Sequence, residues 1–309
     1  MCDGRDGMLT GYMHPLYAGS LMEFGVPRAL PRCGGWILER PVPGESSRDA
    51  MGCYPLLSCQ DWSQLHIDLD EVGDELVSLS VVTDPFGEYD PEYLRRCFKD
   101  VVIPFKEHYV VDLRLPLNEI AGRRHRKNAR RALRNIQIHV IEEPAAFIEE
   151  WLLLYNNLIE KHAISGMSAF SRAAFATQLS LPGTVVLSAT YQETTVAAQI
   201  YYVQGDVVHC HLGAASNTGY DQGALHALDF FSIEYFADKV RWLNLGGAAG
   251  ITSDSNDGLG VYKRGWSTET RTAYFCGRIF NQEAYEKIVK AAGITATDYF
   301  PAYRKGEFG

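Results

Sequence analysis

The chain has 309 residues, of which 46% are hydrophobic and 22% are charged, and this composition excludes a disordered chain. That length is sufficient to bury the cores of two ordinary domains, and no apolar stretch approaches the roughly 20 residues of a membrane span. The formal net charge of −9 opposes extended contact with nucleic acid over the whole surface.

The N-terminal segment and the cysteines indicate the compartment. Residues 1–10 include Asp3, Arg5 and Asp6 and lack the apolar core of a signal peptide, so we expect a cytoplasmic protein. The seven cysteines are odd in number and form no Cys-x-x-Cys pair. A disulfide framework and a structural zinc site are therefore not expected, and we predict no bound metal.

The first 115 residues are rich in turns and short apolar runs. Short apolar runs bounded by turn residues predict strands over residues 35–40, 54–58, 76–83 and 108–113. A short helix is predicted over residues 91–98.

A strongly basic helix opens the second half. Residues 123–134 read Arg-Arg-His-Arg-Lys-Asn-Ala-Arg-Arg-Ala-Leu-Arg and contain seven Arg or Lys residues. Since the whole chain carries −9, the rest of it carries about −16, and the charge is strongly polarised. Its apolar stripe is predicted to be Ala129, Ala132, Leu133 and Ile136.

Strands and helices follow the basic helix in a mixed order. A long helix is predicted to begin at Pro144, with Phe147, Trp151, Leu154 and Leu158 on its core face. The later elements are strands over 184–191, 195–203 and 207–214, a helix over 222–237, a strand over 242–245, a loop over 246–260, a strand over 271–278 and a helix over 282–292. This order predicts an α+β fold with a mixed sheet.

Six short motifs occur in order between residues 108 and 285. They are an Asp-Leu strand end, the basic helix, a Trp…Tyr…Leu-Ile-Glu-Lys-His helix, a His-Cys-His-Leu-Gly-Ala-Ala-Ser strand, Leu-Asn-Leu-Gly-Gly, and Gly258-Leu259 before Tyr-Lys-Arg-Gly-Trp. Together they resemble the Fem-type transferases and the related acetyltransferase-like domain of the GNAT superfamily. The resemblance implies a GNAT-like mixed sheet with flanking helices. Because Fem-type proteins carry two such domains, it also implies a degenerate first domain over residues 1–115 and a transferase domain over residues 116–309.

One turn bears on the donor that the resemblance implies, and its sequence weakens the case for an acyl-CoA. GNAT proteins that use acetyl-CoA hold its pyrophosphate with a Gln/Arg-x-x-Gly-x-Gly/Ala loop. Residues 216–224 here read Ser-Asn-Thr-Gly-Tyr-Asp-Gln-Gly-Ala, and Asp221 would place a negative charge beside a diphosphate. The same loss is typical of the Fem-type branch, whose donors are aminoacyl-tRNAs.

The resemblance therefore implies an N-acyltransferase that forms an amide by moving an aminoacyl group from aminoacyl-tRNA to an amine. No cofactor is expected to be bound, because the donor is a co-substrate. The acceptor is a small molecule, a peptide or a cell-wall precursor. Two alternatives stay open: an acyl-CoA donor, and a catalytically inactive binding module.

Lys263 is the first candidate for catalysis. It occupies the position of the Phe-Lys motif of Fem-type enzymes, whose lysine is held to stabilise charge that develops in the ester of the donor. Amide formation needs such a positive charge near the tetrahedral oxyanion. The neighbouring Arg264 is assigned to substrate binding. The alternative for Lys263 is a solvated surface lysine.

His209 and His211 alternate on one predicted strand, so both imidazoles are expected on the same side of the sheet. His211 is a candidate base for the acceptor amine and His209 a candidate contact to its polar groups. A structural histidine pair is the alternative.

The remaining polar candidates lie near the donor turn and on the next strand. Ser216 and Tyr220 occupy the strand–helix turn that receives the donor in this superfamily, where Tyr220 is a candidate for protonating a leaving group or stacking on an adenine. Asn244 is a candidate for orienting a carbonyl. Ordinary turn and sheet contacts are the alternative for all three.

The basic helix is a candidate phosphate-binding surface. Lys127, Arg130, Arg131 and Arg134 are predicted to bind phosphates of tRNA or of a phosphorylated acceptor. The alternative is a solvated helix face that pairs with acidic neighbours such as Glu142 and Glu143. The loop over residues 246–260 is predicted to be a mobile lid over the acceptor site.

Overall fold

One mixed sheet forms the centre of the molecule. The computed structural model describes residues 9–248, 258–294 and 296–307, and eleven strands of these residues pair into a single sheet. The strands are β1 (Val26–Leu30), β2 (Gly35–Pro41), β3 (Arg48–Gly52), β4 (Ser78–Val82), β5 (Val101–Asp112), β6 (Ile136–Ile141), β7 (Thr184–Tyr191), β8 (Thr194–Gln204), β9 (Val207–Ala215), β10 (Trp242–Asn244) and β11 (Glu269–Ile279). Their spatial order is β1-β2-β3-β4-β11-β5-β10-β9-β8-β7-β6.

Helices flank this sheet. They are α1 (Pro15–Gly19), α2 (Leu65–Val72), α3 (Pro91–Cys97), α4 (Leu117–Ile120), α5 (Arg123–Ala132), α6 (Ile148–His162), α7 (Arg172–Gln178), α8 (Asn217–Gln222), α9 (Ala224–Phe236), α10 (Gly258–Arg264) and α11 (Gln282–Ala291). In the part of the chain described, no helix combines the length and the apolar character that crossing a membrane requires. The pairs β3–β4 and β9–β10 are parallel and the others antiparallel, so the predicted α+β class with a mixed sheet and flanking helices is confirmed.

Several predicted elements differ from those observed. The strand predicted over residues 54–58 is wrong: Leu57 alone forms an isolated bridge, to Thr83, and Pro55 has no N–H to donate to a ladder. The helix predicted over residues 222–237 is α9, and a short helix that was not predicted, α8, precedes it and ends at Gly223, whose φ is 71°. Ile136, predicted in the apolar stripe of the basic helix, begins the edge strand β6 instead.

The two faces of the sheet carry different cores. On one face α9 packs against β6 to β9 and against α5, around residues such as Val208, Leu243 and Trp266. On the other face α6 packs on β8 and β9 around Trp151 and Tyr202. Val208 and Cys210 of β9 therefore face the first core and His209 faces the opposite side, and this alternation is interrupted at His211, where the register with β8 shifts.

The C-terminal part of the chain completes the first half of the sheet. β11 lies between β4 and β5 and pairs with both in antiparallel fashion. The division into domains over residues 1–115 and 116–309 stays a prediction, and this strand exchange is a feature that it did not include.

The sheet opens between β9 and β10. These parallel strands pair only from Trp242 to Asn244, opposite residues 207–209. Beyond that point β9 continues along β8, whereas the chain after β10 follows β5: Leu245 N donates to Tyr109 O at 2.9 Å, and Tyr109 N donates to Gly246 O at 3.1 Å. A cleft therefore begins at Asn244, and it is here that the polar side chains collect.

Candidate active site

Lys263 reaches the mouth of this cleft. Its Nζ donates to Gly247 O at 2.7 Å, and a Cβ placed on Gly246 would lie 3.2 Å from the same nitrogen. The side chain is half-buried. Lys263 lies in the last turn of α10, a short helix that was not predicted from the sequence.

A buried carboxylate lies near Lys263 on the α9 side of the sheet. Asp229, 5% exposed, accepts hydrogen bonds from Gln199 Nε2 at 2.7 Å and from the hydroxyl of Tyr262. Gln199 Oε1 in turn accepts from Tyr201 Oη at 2.6 Å. Burial raises the pKa of Asp229, while its two hydrogen bonds and then the positive charge of Lys263 act in the opposite direction.

Asp229 was not among the residues predicted from the sequence. Its signal is an acidic residue between Leu228 and Phe230 in a helix that is otherwise apolar on this side. Cys210 lies in the same region, and burial raises the pKa of its thiol to about 12. The thiol is therefore protonated at neutral pH and is not a nucleophile.

On the other face of the sheet, Asn244 joins two histidines at the start of the cleft. Its Oδ1 accepts from Gly246 N at 2.9 Å, which fixes the orientation of the amide. The same oxygen accepts from His108 Nδ1 at 3.1 Å, and Asn244 Nδ2 donates to His209 Nδ1 at 3.1 Å. His209 therefore accepts at Nδ1, and its proton is on Nε2.

His209 and His211 lie on one face, as their alternation predicts. The ring of Tyr12 packs edge-on against both imidazoles, with centroids 5.3 Å and 5.7 Å away, and Tyr12 Oη lies 3.1 Å from His211 Nδ1. Tyr12 comes from the first part of the chain and was not predicted, because nothing near it in sequence marks a contact across 199 residues.

Burial keeps these histidines neutral at physiological pH. It lowers the pKa of His108 to about 4 and that of His211 to about 3, and it also lowers the pKa of His209. The Nε2 atoms of His209 and His211 are buried and have no hydrogen-bond partner in the described part of the chain. Two neutral imidazoles thus each retain one unused polar atom.

The predicted donor turn lies at the end of β9. Ser216 Oγ accepts from Gly219 N at 3.1 Å, so it caps α8, and it donates to Val196 O at 3.2 Å. A Cβ on Gly219 would lie 2.2 Å from Val196 O, so the turn packs directly on β8. Lys161 Nζ lies 3.4 Å above the half-buried ring of Tyr220 and brings a positive charge to this turn.

The basic helix presents an unpaired cationic surface. Lys127, Arg130, Arg131 and Arg134 are exposed, and together with Arg123 and Arg126 they line an open concavity of about 540 Å³. None of the seven Arg and Lys side chains over 123–134 forms an ion pair within 4.0 Å with any residue in the described ranges. The alternative of pairing with Glu142 and Glu143 is therefore not observed.

This surface is fixed to the helix that carries Lys263. Gly122 N donates to Gly265 O at 3.1 Å, and the His125 ring packs edge-on against Trp266 at 5.3 Å between centroids. A Cβ on Gly265 would lie 2.0 Å from His125 Cε1, so this contact requires a glycine. Arg264, predicted to bind substrate, is exposed at the end of α10 beside this junction.

Comparison with known proteins gives a clear result for the fold. No protein-family model and no curated protein matches the sequence. Among solved structures, FemX aligns with a TM-score of 0.64 at 14% identity and covers 89% of this chain and 93% of its own. L-PGS from Bacillus licheniformis aligns with a TM-score of 0.60 at 14% identity, over 93% of this chain and 97% of its own. The C-terminal domain of a protein assigned as a lysylphosphatidylglycerol synthetase, from Agrobacterium fabrum, aligns with a TM-score of 0.61 at 15% identity, over 88% and 91%.

This chain has the fold of FemX, so the predicted Fem-type fold is confirmed. At such identities the likeness concerns the fold, so the residue assignments rest on the geometry described above. In this Fem-type fold the predicted residues form four groups: Lys263 at the cleft; His209, His211 and Asn244 on one face of the sheet; Ser216 and Tyr220 at the end of β9; and the cations of α5, with Arg264 beside them. The roles of all these residues stay predictions, and residues 249–257 of the predicted lid lie outside the described residues.

Proposed function

We propose that this protein is an N-acyltransferase that forms an amide by transferring an aminoacyl group from aminoacyl-tRNA to an amine. The observation that carries the proposal is the position of α5. Its cations have no ionic partner in the described part of the protein, and the helix is joined at Gly122 and His125 to the element that bears Lys263. A polyanion bound on α5 can therefore reach Lys263.

The local electrostatics favour phosphate on this surface. The N-terminus of α5 has no side-chain cap at Gly122, so its first backbone N–H groups add to the positive charge of the side chains. Phosphate contacts of this kind provide affinity without reading sequence. The rest of the chain carries about −16 and repels nucleic acid. Contact with the tRNA is therefore confined on the protein to the surface of α5 and to the site that holds the aminoacylated end of the tRNA.

The proposed chemistry is an exchange of an ester for an amide. The neutral amine attacks the carbonyl carbon of the donor ester, the carbon–oxygen bond to the ribose breaks, and one amine proton ends on the released ribose oxygen. The Lys263 ammonium stabilises the negative charge that develops on oxygen. Tyr220, whose pKa is raised by burial, stays protonated and is the candidate donor to the leaving oxygen.

The acceptor is proposed to contact the histidine face of the cleft. The side-chain amide of Asn244 forms hydrogen bonds with His108, His209 and Gly246. Asn244 therefore orients these groups and does not bind the substrate carbonyl directly. The Nε2 atoms of His209 and His211 have no partner in the described residues, but they are buried, so contact with the acceptor requires the side chains that cover them to move. With a pKa of about 3, His211 is a far weaker base than an ordinary imidazole, so its burial opposes the predicted role of base and leaves contact with the acceptor as the role we propose.

An acyl-CoA donor is the second candidate, and one observation favours it. Lys161 brings a positive charge to the turn at Tyr220, where a pyrophosphate would lie. Asp221, exposed in the same turn, opposes it.

The experiment that decides between the donors uses the pure protein and a pool of amines. Aminoacyl-tRNA and acyl-CoA are supplied separately, and products are detected by mass. We expect an aminoacyl amide from aminoacyl-tRNA, and its formation should stop when ribonuclease is added first. Activity with acyl-CoA that resists ribonuclease would reject the tRNA donor, and the absence of a product with both donors would favour a binding module.

A further inference from the structure

Asp229 has an unusual environment for an acidic residue. It lies on the core face of α9, and its carboxylate accepts hydrogen bonds from two neutral donors, Gln199 and Tyr262. Removing a carboxylate from water is costly, and replacement by an apolar residue would often be neutral for stability. A buried carboxylate at this position therefore suggests a role beyond packing.

The hydrogen bond from Tyr262 connects Asp229 to the neighbour of Lys263. The two residues are 33 apart in sequence, and Tyr262 directly precedes Lys263 on α10. The ring of Tyr262 also packs against His226, with centroids 4.9 Å apart. The Asp229 carboxylate thus fixes the ring of Tyr262, and through the backbone it fixes the direction in which Lys263 leaves the helix.

The charges of Asp229 and Lys263 act on each other as well. Lys263 is the charged group whose field opposes the effect of burial on Asp229. Because a Coulomb interaction is mutual, the ionised carboxylate stabilises the Lys263 ammonium by the same free energy. A partly buried ammonium at the cleft depends on such a counter-charge.

The other titratable groups that face this pair are largely neutral at pH 7. Burial raises the pKa of Tyr201 and Tyr262, raises that of Cys210 to about 12, and lowers those of His108 and His226 to about 4. His125 of α5 also has a lowered pKa. Among the described residues, Lys106 of β5, which donates to Ala248 O at 3.3 Å, and Arg124 of α5, whose charge acts on His125 and His226, are further cations of this region.

We propose that Asp229 is a positioning residue for the transfer reaction: its carboxylate holds Tyr262 and stabilises the ammonium of Lys263 at the cleft. This inference rests on the proposed function of Lys263. Asp229 itself lies beneath Tyr262 and does not touch the substrate.

Asp229→Asn tests the charge with little change of shape. The amide oxygen can still accept from Gln199, but the negative charge is lost. We expect kcat to fall ~10- to 100-fold, on the scale of a lost catalytic electrostatic contact, and KM for the amine to change less than about threefold. Tyr262→Phe removes the hydrogen bond and keeps the charge, and we expect a smaller loss of kcat.

The pH profile separates a positioning role from a structural one. Burial raises the pKa of Asp229, and protonation removes its charge. In the wild type, kcat should therefore fall on acidification at a pH above that of an ordinary aspartate. Asp229→Asn should lack this descent, whereas Tyr262→Phe should retain it.

Controls distinguish failure of the inference from failure of the proposed function. Asp238→Asn, at an exposed acid just beyond α9, should leave kcat and its pH profile unchanged. Full activity of Lys263→Met would refute the proposed role of Lys263. An inactive Lys263→Met together with wild-type kcat and acid profile in Asp229→Asn would overturn the inference alone. If Asp229→Asn does not fold, a folded Tyr262→Phe with wild-type kcat would overturn it equally.

Discussion

At Lys263 one positive charge lies beside a backbone carbonyl, a buried carboxylate and a face of neutral imidazoles. The carbonyl of Gly247 and the charge of Asp229 both stabilise an ammonium at the cleft. The neutral histidines do not compete for a negatively charged oxygen with a charge of their own. Lys263 is therefore the residue whose removal tests the proposed chemistry most directly.

Lys263→Met should lower turnover by ~10²-fold or more, the scale observed when one oxyanion-stabilising donor is removed. The folded state should persist, because the side chain is half-buried and outside the cores of the two faces, but thermal unfolding should shift modestly, since the buried Asp229 loses its counter-charge. Single-turnover rates with aminoacyl-tRNA measure the effect, and Lys290→Met, an exposed lysine of α11, is the matched control. Unchanged turnover would remove Lys263 from the mechanism.

The buried histidines predict how stability depends on pH. Burial lowers the pKa of His211 from 6.5 to about 3 in the folded protein. Its contribution is present above pH 6.5 and is lost as the pH falls toward 3, since only the unfolded chain takes up the proton there. His211→Asn should therefore reduce the loss of unfolding free energy between pH 7 and pH 5 by up to about 2 kcal/mol.

Urea unfolding of both proteins at the two pH values measures this difference. A destabilised variant is still informative, because the comparison concerns the change with pH rather than the stability at either value. An equal pH dependence in wild type and variant would show that His211 binds protons equally in the folded and unfolded states, which would contradict a lowered pKa. His139→Asn, at an exposed position of β6, should leave the pH dependence unchanged.

Individual contacts across the molecule were the least predictable feature. The positions of His209 and His211 on one face follow from the two-residue period of a strand. The positions of Tyr12 and Asp229 do not follow from any local pattern, because only the tertiary fold brings these residues to the site. Tyr12 lies 199 residues from His211, and Asp229 lies 33 residues from Tyr262.

Among the elements, the junction of α5 with α10 determines how donor and catalyst would meet. It is built from the backbone contact between Gly122 and Gly265 and from the His125 ring, which packs against Tyr262 and Trp266. Since both helices are short, their relative position depends on this contact.

Gly265→Ala should disturb that junction. The added Cβ would lie 2.0 Å from His125 Cε1, and the ring is held between Trp266 and Tyr262. We expect a loss of about 1–3 kcal/mol in unfolding free energy, as for other overpacked sites, and slower aminoacyl transfer. Gly258→Ala, at the start of α10, is the control, because a Cβ there meets no described atom within 4 Å. Wild-type stability of Gly265→Ala would contradict a rigid junction.

Helices and strands with a strong periodicity of apolar residues were predictable from the sequence. Elements whose extent depends on pairing with other parts of the chain were not. The strands β7, β8 and β9 and the helix α11 lie close to their predicted bounds, because apolar period and flanking turns identify them locally. By contrast, residues 54–58 have the composition of a strand but no ladder, since Pro55 interrupts the donors. The edge strand β6 follows a helix without a clear break in apolar pattern.

For the whole molecule, the placement of β11 could not be derived from the sequence. Its apolar residues predict a strand, but they do not indicate that it inserts between β4 and β5 and joins the two parts of the chain. The concentration of positive charge in residues 123–134 of an otherwise acidic chain, in contrast, can be read from the sequence. The structure adds that the cations of α5, apart from the half-buried Arg126, are exposed, and that none of them has an ion pair with any residue that it describes.

This polarity predicts a strong, local salt dependence of donor binding. Each phosphate contact that is lost should lower the slope of log K against log salt by about 0.7 to 0.9, depending on whether the contacted strand is single or paired. Arg130→Glu with Arg134→Glu should therefore abolish aminoacyl transfer and reduce the slope of any remaining tRNA binding by about two.

The matched control is the reversal of two exposed arginines elsewhere, Arg95→Glu with Arg96→Glu on α3. It changes the net charge by the same amount, so it separates the local surface from the overall field of the molecule. We expect it to weaken tRNA binding slightly and to leave the slope unchanged. Equal losses for both pairs would show that net charge, rather than α5, governs binding, whereas transfer that survives reversal at α5 would place the donor elsewhere, at the turn from Ser216 to Gln222.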